Sequence, residues 1–199
     1  FKTSEILPLL KLPEVMEKYG FTERDFDLIS YWIEEAFIRF GIDDHHLETL
    51  GFGDDPRHTW LWGLKRMLLG YATHDETLIH GHLPYIDIKG MDALLLGKLT
   101  AFIDHLIKWR EALEAPRPLI EWQTIIAPLW NDFFADPDPQ QSGSSDQKLT
   151  FILNAWNDII EAGIKSGIEE AFEIETLRRL LEERLIDEKP IQNFIQGKV

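Results

Sequence analysis

Residues 58–72 read HTWLWGLKRMLLGYA, and no other stretch restricts the fold of this chain as tightly. Trp60, Leu64, Met67, Leu68 and Tyr71 recur at i, i+4, i+7, i+8 and i+11, the spacing that lines one face of an α-helix. Leu61, Trp62 and Leu69 lie off that stripe, so the helix is expected to be apolar nearly all round and deeply embedded. Gly63 and Gly70 stand one heptad apart within it. Each lowers helix propensity by about 1 kcal/mol relative to Ala, a cost that is tolerable where another helix must pass close over that face. Lys65 and Arg66 then need an outlet. Cations on a buried helix either snorkel to water or meet carboxylates; a phosphate or a partner protein is the alternative contact.

Helical periodicity continues on both sides. Thr22, with Asp25 three residues on, forms a variant capping box. Phe26, Ile29, Ile33 and Phe37 follow at helical spacing, and Gly41 falls where that helix closes. Asp43 and Asp44 read as the cap and first turn of a short helix ending near Gly51. A loop covers 73–89, and a long helix runs from Met91 to Glu114 with Leu95, Leu99, Phe102, Leu106 and Trp109 in register. Pro118 suits the first turn of the next helix, which continues to Phe134 with a kink expected at Pro128. Further helices are expected over 148–163 and 173–187. The stretch ADPDPQQSGSSDQ (135–147) is rich in Pro, Ser, Gly and Asp and reads as a mobile loop. No alternating strand pattern and no internal repeat is present. The class is therefore all-α, an irregular bundle of several helices forming one domain over residues 1–199.

Composition narrows the chemistry. With 44% hydrophobic residues, seven Trp and twelve Phe, the chain can fill a core. It has no Cys, which excludes disulfides, thiolate metal sites and a thiol nucleophile. Thirty-five acids against 20 bases give a formal charge of −15, so the chain as a whole should be repelled by a phosphate backbone. No apolar run approaches the ~20 residues of a spanning helix, and no secretory signal opens the chain. It begins at Phe1 rather than Met, as a piece of a longer chain would.

Catalytic signatures are weak. GIKSG (163–167) lacks the GxxxxGK[ST] framework of a phosphate cradle, and neither GxGxxG nor GxSxG is present. DPDP (136–139) lacks the acid-x-Lys that would continue a nuclease carboxylate motif. Histidines gather at Asp43-Asp44-His45-His46 and again at His74, Asp75, His80, His82 and Asp87. A His-x-His loop can chelate zinc, so a metal-dependent hydrolase using His45, His46, His80 and His82 is one functional class to test. A helix start and a solvated loop explain the same residues. Trp32, Trp60, Trp109, Trp122 and Trp156 sit within apolar helical patterns and belong to the core. Trp62, one turn from Lys65 and Arg66, is the place where an aromatic ring and cations interleave as base stacking requires. With Arg57 and His58 it outlines a second class, a direct DNA-binding face.

The motifs taken together resemble one family. AFIRFGID (36–43) is similar to a G-I-R-W-G-I-D segment, with Ala36-Phe37 where a small residue and Gly are usual. HTWLWGLKRMLLGYA is close to H-T-W-x-x-G-L-x-R-M-L-L-G-Y-A, and LPY (83–85), WREALEAPRPLIEW (109–122) and NFIQGKV (193–199) follow in the same order. This resembles the gamma-subunit family of exodeoxyribonuclease V, the RecC family of the RecBCD helicase–nuclease, from about Ser4 to Val199. The resemblance implies a scaffold protein whose helicase-like domains have lost ATPase function and whose nuclease-like domain has lost its active site. Its channels would guide DNA strands and allow scanning for Chi during recombinational repair of double-strand breaks. This region would be the helical 2B-type insertion of the second RecA-like domain, its termini close together. It would have no catalytic residue, metal or cofactor of its own, although the parent complex is an ATP-dependent exodeoxyribonuclease and helicase.

The implied partners are the beta and alpha subunits, RecB and RecD, in a heterotrimer, with DNA in the full complex, no membrane, and a bacterial cytoplasmic setting. Arg39, Gly41, Ile42, Asp43, His58, Thr59, Trp60, Gly63, Leu64, Arg66, Met67, Leu68, Leu69, Gly70 and Tyr71 match the family runs. They are expected to form the structural heart, with Arg39 and Arg66 paired to acids such as Asp43 or Glu34. The His-rich loop lies outside the family pattern.

Overall fold

A computed structural model describes residues 1–74, 76–135 and 144–195, with 144–147 and 187–195 given by their backbone alone. Helices α1 (Thr3–Leu10), α2 (Pro13–Tyr19), α3 (Glu23–Glu35), α4 (Asp44–Thr49), α5 (Trp60–Thr73), α6 (Asp92–Glu114), α7 (Leu119–Phe133), α8 (Ser144–Lys165) and α9 (Ile174–Ile195) follow one another, with a 3₁₀ turn at Pro56–His58. The all-α reading holds with one addition. Arg117–Pro118 (β1) pairs antiparallel with Ala171–Phe172 (β2), a ladder too short to leave an alternating pattern in the sequence. Trp122 fastens it by donating from Nε1 to the Phe172 carbonyl at 3.0 Å.

Local signals place most helix starts. Thr22 caps α3 as a full capping box, its Oγ1 accepting from Asp25 N at 3.3 Å while its own N–H donates to the Asp25 carboxylate at 2.8 Å. Asp43 caps α4 through His46 N at 2.8 Å. Pro128 lies inside α7. The end of α3 differs from expectation: it stops at Glu35, and Gly41, with φ +83°, instead turns the chain towards α4. The loop expected at 135–147 shrinks from its C-terminal side, because α8 already begins at Ser144. Residues 136–143, DPDP among them, lie outside the described residues, as do Asp75 and the terminal 196–199 on which the close-termini expectation falls.

The described residues gather into two compact units, the first of Phe1–Ile107 with Phe133–Ala135, the second of Lys108–Asp132 with the described C-terminal stretch. The first buries Ile29, Trp32, Ile38, Trp60, Leu64, Met67, Ile88, Leu99, Phe102 and Ile103 in one cluster. The second packs Leu119, Trp122, Trp156, Ile160 and Leu177 together, with the two indoles edge to face at 6.4 Å. Burial of these apolar side chains is the main stabilising contribution in each unit. Among the described residues, no helix is long and apolar enough to cross a membrane.

Candidate functional site

Helix α5 organises the first unit, and it is embedded on one side only. Trp60, Gly63, Leu64, Met67 and Gly70 are buried. Leu61, Leu68 and Tyr71 are exposed, although Leu68 and Tyr71 were expected on the core stripe. The true inward stripe runs through the two glycines, which turns the buried arc away from Leu68. Nor is the element against the glycines a helix. A Cβ on Gly63 would overlap the side chain of Ile38, and a Cβ on Gly70 would overlap the carbonyl of Tyr85. Two non-helical segments, 36–43 and 83–88, are thus pressed onto α5, closer than any side chain would allow.

Arg66 fastens both segments. Its Nη1 donates to the Ala36 carbonyl at 3.0 Å and its Nε to the Leu83 carbonyl at 2.7 Å, while Tyr85 N donates to the Arg66 carbonyl at 2.9 Å. This corrects the expected carboxylate pairing: among the described residues neither Arg66 nor Arg39 forms an ion pair. Arg39 donates to the Ile38 carbonyl at 3.3 Å and lies over the Phe37 ring, and the Asp43 carboxylate is spent as the α4 cap. A planar guanidinium with donors in a fixed fork can join two carbonyl-lined segments in a way that an ion pair could not. Burial lowers the Arg66 pKa from its ordinary value. It also raises that of Tyr85, whose hydroxyl is buried without a hydrogen-bond partner among the described residues and lies near the negative field of Asp87.

Segment 36–43 has a conformation of its own. Phe37 N–H donates to the Glu34 carbonyl and Ile38 N–H to the Ile33 carbonyl, both at 3.0 Å. That is the Schellman ending of a helix. Phe37 occupies its left-handed position, with φ +60°. The G-I-R-W-G-I-D segment that this stretch resembles carries Gly here, the residue that tolerates this conformation most readily. Farther along, the carbonyls of Gly41 and Ile42 accept from Trp60 and Leu61 N–H at 3.1 and 3.0 Å, satisfying two of the amides that α5 leaves open at its start. Thr59 caps the same end through Trp62 N at 3.4 Å. His58 donates from Nδ1 to the Phe37 carbonyl at 3.0 Å, and its own carbonyl accepts from Arg39 N at 2.8 Å.

The residues outlined as a DNA-binding face are not brought into one cluster of free cations. Arg57 grips Asp55 with Nε and Nη2, and its guanidinium holds that carboxyl down to about 2. His58 and Arg66 are engaged as described. Trp62 is stacked on His82, ring centroids 4.0 Å apart, so one of its faces is covered. Lys65 is exposed and makes no ion pair among the described residues.

The histidines are dispersed in the same way. His46 Nδ1 accepts from Ile42 N at 3.0 Å, His45 lies 3.9 Å from Glu48, and His82 donates to the His80 carbonyl across a tight turn at 3.0 Å. Among the described residues no three His, Asp or Glu side chains gather where they could hold a metal. GIKSG is the end of α8: Gly163 packs on Leu119, Lys165 pairs with Glu161 and Ser166 Oγ donates to the Ala162 carbonyl. Sequence reasoning missed Ile38, Tyr85 and the carbonyls of Ala36 and Leu83. The heptad-spaced glycines signalled close approach, but nothing in their spacing said what approaches.

Comparison with known proteins matches residues 1–189 to the model of the fourth domain of RecBCD enzyme subunit RecC. RecC of Escherichia coli K12 is 34% identical over 200 residues, covering 100% of this chain and 17% of that protein. RecC of Buchnera aphidicola from Acyrthosiphon pisum is 33% identical over 181 residues, covering 90% of this chain and 16% of its own length. RecC of Haemophilus influenzae Rd is 27% identical over 200 residues, again 100% of this chain and 17% of the relative. The chain thus spans about a sixth of the length of these relatives.

Proposed function

The chain belongs to the RecC fourth-domain family, and on that premise we propose that it is a non-catalytic, architectural module of a RecBCD-type enzyme. The observation that supports this reading is what happens to the residues closest to the RecC pattern. Gly63, Gly70 and Arg66 are consumed in clamping segments 36–43 and 83–88 onto α5. Arg39, Gly41, Asp43 and His58 are consumed in shaping and capping the same junction. Hydrogen bonds to carbonyls and caps give these groups a structural task, although Arg39 and His58 stay exposed.

In this reading the module holds RecC in shape beside its sister subunits RecB and RecD and borders a DNA path without gripping it. The 2B-type placement of the helices, taken from the family resemblance, belongs to the same proposal. A net charge of −15 suits a wall that DNA must slide past, because it withholds the counterion-release energy that makes DNA stick. The test is a titration of labelled duplex and single-stranded DNA with this chain at physiological salt. Only weak, supramicromolar association is expected, and replacing Arg57 and Lys65 by Ala should change it less than twofold. A sub-micromolar, salt-steep affinity lost in that double variant would replace the architectural reading by a direct DNA-binding module.

A further inference from the structure

The outward face of α5 is unexplained by the packing it serves. Leu61, Lys65, Leu68 and Ala72 follow at i, i+4, i+7 and i+11 and form one ridge along the helix. Leu61 is 37% and Leu68 44% exposed, and Lys65 and Ala72 are exposed with them. Segment 83–86 lies along the other flank, against Arg66 and Gly70, and leaves the ridge open. A helix needed only to close the first core would carry polar side chains here. Leucines at this spacing are the contact pattern of a second helix laid alongside.

Two observations identify the occupant. The first is charge. In a chain with 35 acids, none occurs from Pro56 to His74, and Lys65 stands in the middle of the ridge without an ion pair among the described residues. A single ammonium flanked by leucines complements a single carboxylate flanked by apolar side chains. It does not complement a phosphate backbone, which would press hydrated oxygens onto Leu61 and Leu68. The second is length. The chain spans 17% of the E. coli RecC polypeptide and 16% of the Buchnera one, so in those relatives about five sixths of the polypeptide lies outside the matched region, within the same molecule. A segment tethered in the same chain reaches the ridge at a high effective concentration, which a separate protein does not.

We propose that the ridge of Leu61, Lys65, Leu68 and Ala72 seats an amphipathic helix from another domain of the same RecC polypeptide. Apolar residues of that helix cover Leu61 and Leu68, and an Asp or Glu at its centre pairs with Lys65. The proposal rests on the architectural reading: the inward face of α5 builds this module and the outward face attaches it.

The test uses full-length RecC assembled with its sister subunits on a DNA end. A photoreactive benzophenone amino acid replaces Leu68, and irradiated products are mapped by mass spectrometry. Cross-links within RecC are expected, to one helical peptide outside this region with an acid within a turn of the linked residue. Cross-links to RecB, RecD or a second RecC copy would overturn this proposal and leave the architectural reading standing. Cross-links to DNA would overturn both. No cross-link at all would place the ridge in water and overturn the proposal alone. In a second arm, Lys65→Glu is expected to speed amide exchange in the cross-linked helix at least tenfold, while Lys65→Arg leaves it unchanged. Equal exchange in both variants would overturn the Lys65 pairing.

Discussion

At Gly70 the first unit packs α5 against a backbone, whereas at Gly163 the second packs α8 against a side chain. Gly70 lies under the carbonyl of the Tyr85–Ile86 peptide, and the two peptides before it are tied to Arg66, through the Tyr85 N–H and the Leu83 carbonyl. Gly163 of α8 meets only the terminal methyl of Leu119. A methyl can rotate away, but main chain tied to the helix through its two preceding peptides moves less freely. The same residue type therefore marks an unyielding junction in one unit and an adjustable one in the other.

The sharpest way to break that comparison is to put a methyl at both positions. Gly70→Ala should destabilise the first unit by about 3 kcal/mol or more, the upper range for overpacking, since the Tyr85 carbonyl can yield only by shifting main chain that the Tyr85 N–H and Leu83 carbonyl bonds tie to Arg66. Gly163→Ala should change stability by less than about 1 kcal/mol, because the gain in helix propensity offsets the displacement of Leu119. Urea unfolding followed by tryptophan fluorescence measures both. Comparable losses would mean that the Tyr85 segment is as compliant as a leucine methyl, and the contrast would fall.

Arg66→Met tests what holds that segment rigid. The substitution keeps a long apolar stem over α5 and removes the donors to Ala36 and Leu83. Two carbonyls lose a charged partner, at a cost of about 2 kcal/mol. If the clamp is what makes the Gly70 contact unyielding, the loss should shrink when Gly70→Ala is already present, a coupling that a double-mutant cycle reads directly. Strict additivity would separate the clamp from the contact.

How much of this was legible beforehand follows from range. Caps are local, so the Thr22–Asp25 box and Asp43 as the cap of a short helix could be read from neighbouring residues, and both formed as read. The all-α class followed from apolar periodicity, and the burial of Trp32, Trp60 and Trp122 from their place in it. The orientation of α5 did not follow, because in a helix apolar nearly all round several faces compete for the core. Its two glycines settle it, and their partners, Ile38 and Tyr85, lie in irregular segments that have no period to detect. The Arg66 partners were misread for a related reason: charge composition advertises carboxylates, whereas backbone carbonyls are present at every residue and leave no trace in sequence.

The ends of α3 and α8 extend the comparison to the backbone itself. Both close with the same pair of bonds, Phe37 to Glu34 and Ile38 to Ile33 in one, Gly167 to Ile164 and Ile168 to Gly163 in the other. Both need a left-handed residue, and the first unit supplies Phe37 with φ +60° where the second supplies Gly167 with φ +72°. A non-glycine residue in that conformation costs about 1–2 kcal/mol, part of which glycine gives back through the larger freedom of its unfolded chain. Phe37 is 55% exposed, so its removal forfeits little burial beyond the contact with Arg39. Phe37→Gly should therefore stabilise the first unit by about 0.5–1 kcal/mol, and Gly167→Ala should destabilise the second by about as much, both seen as shifts in urea midpoint. A loss on Phe37→Gly would mean that the exposed ring contributes more through Arg39 than its backbone strain costs. The glycine of the G-I-R-W-G-I-D segment that this stretch resembles would then be a neutral choice at this helix end.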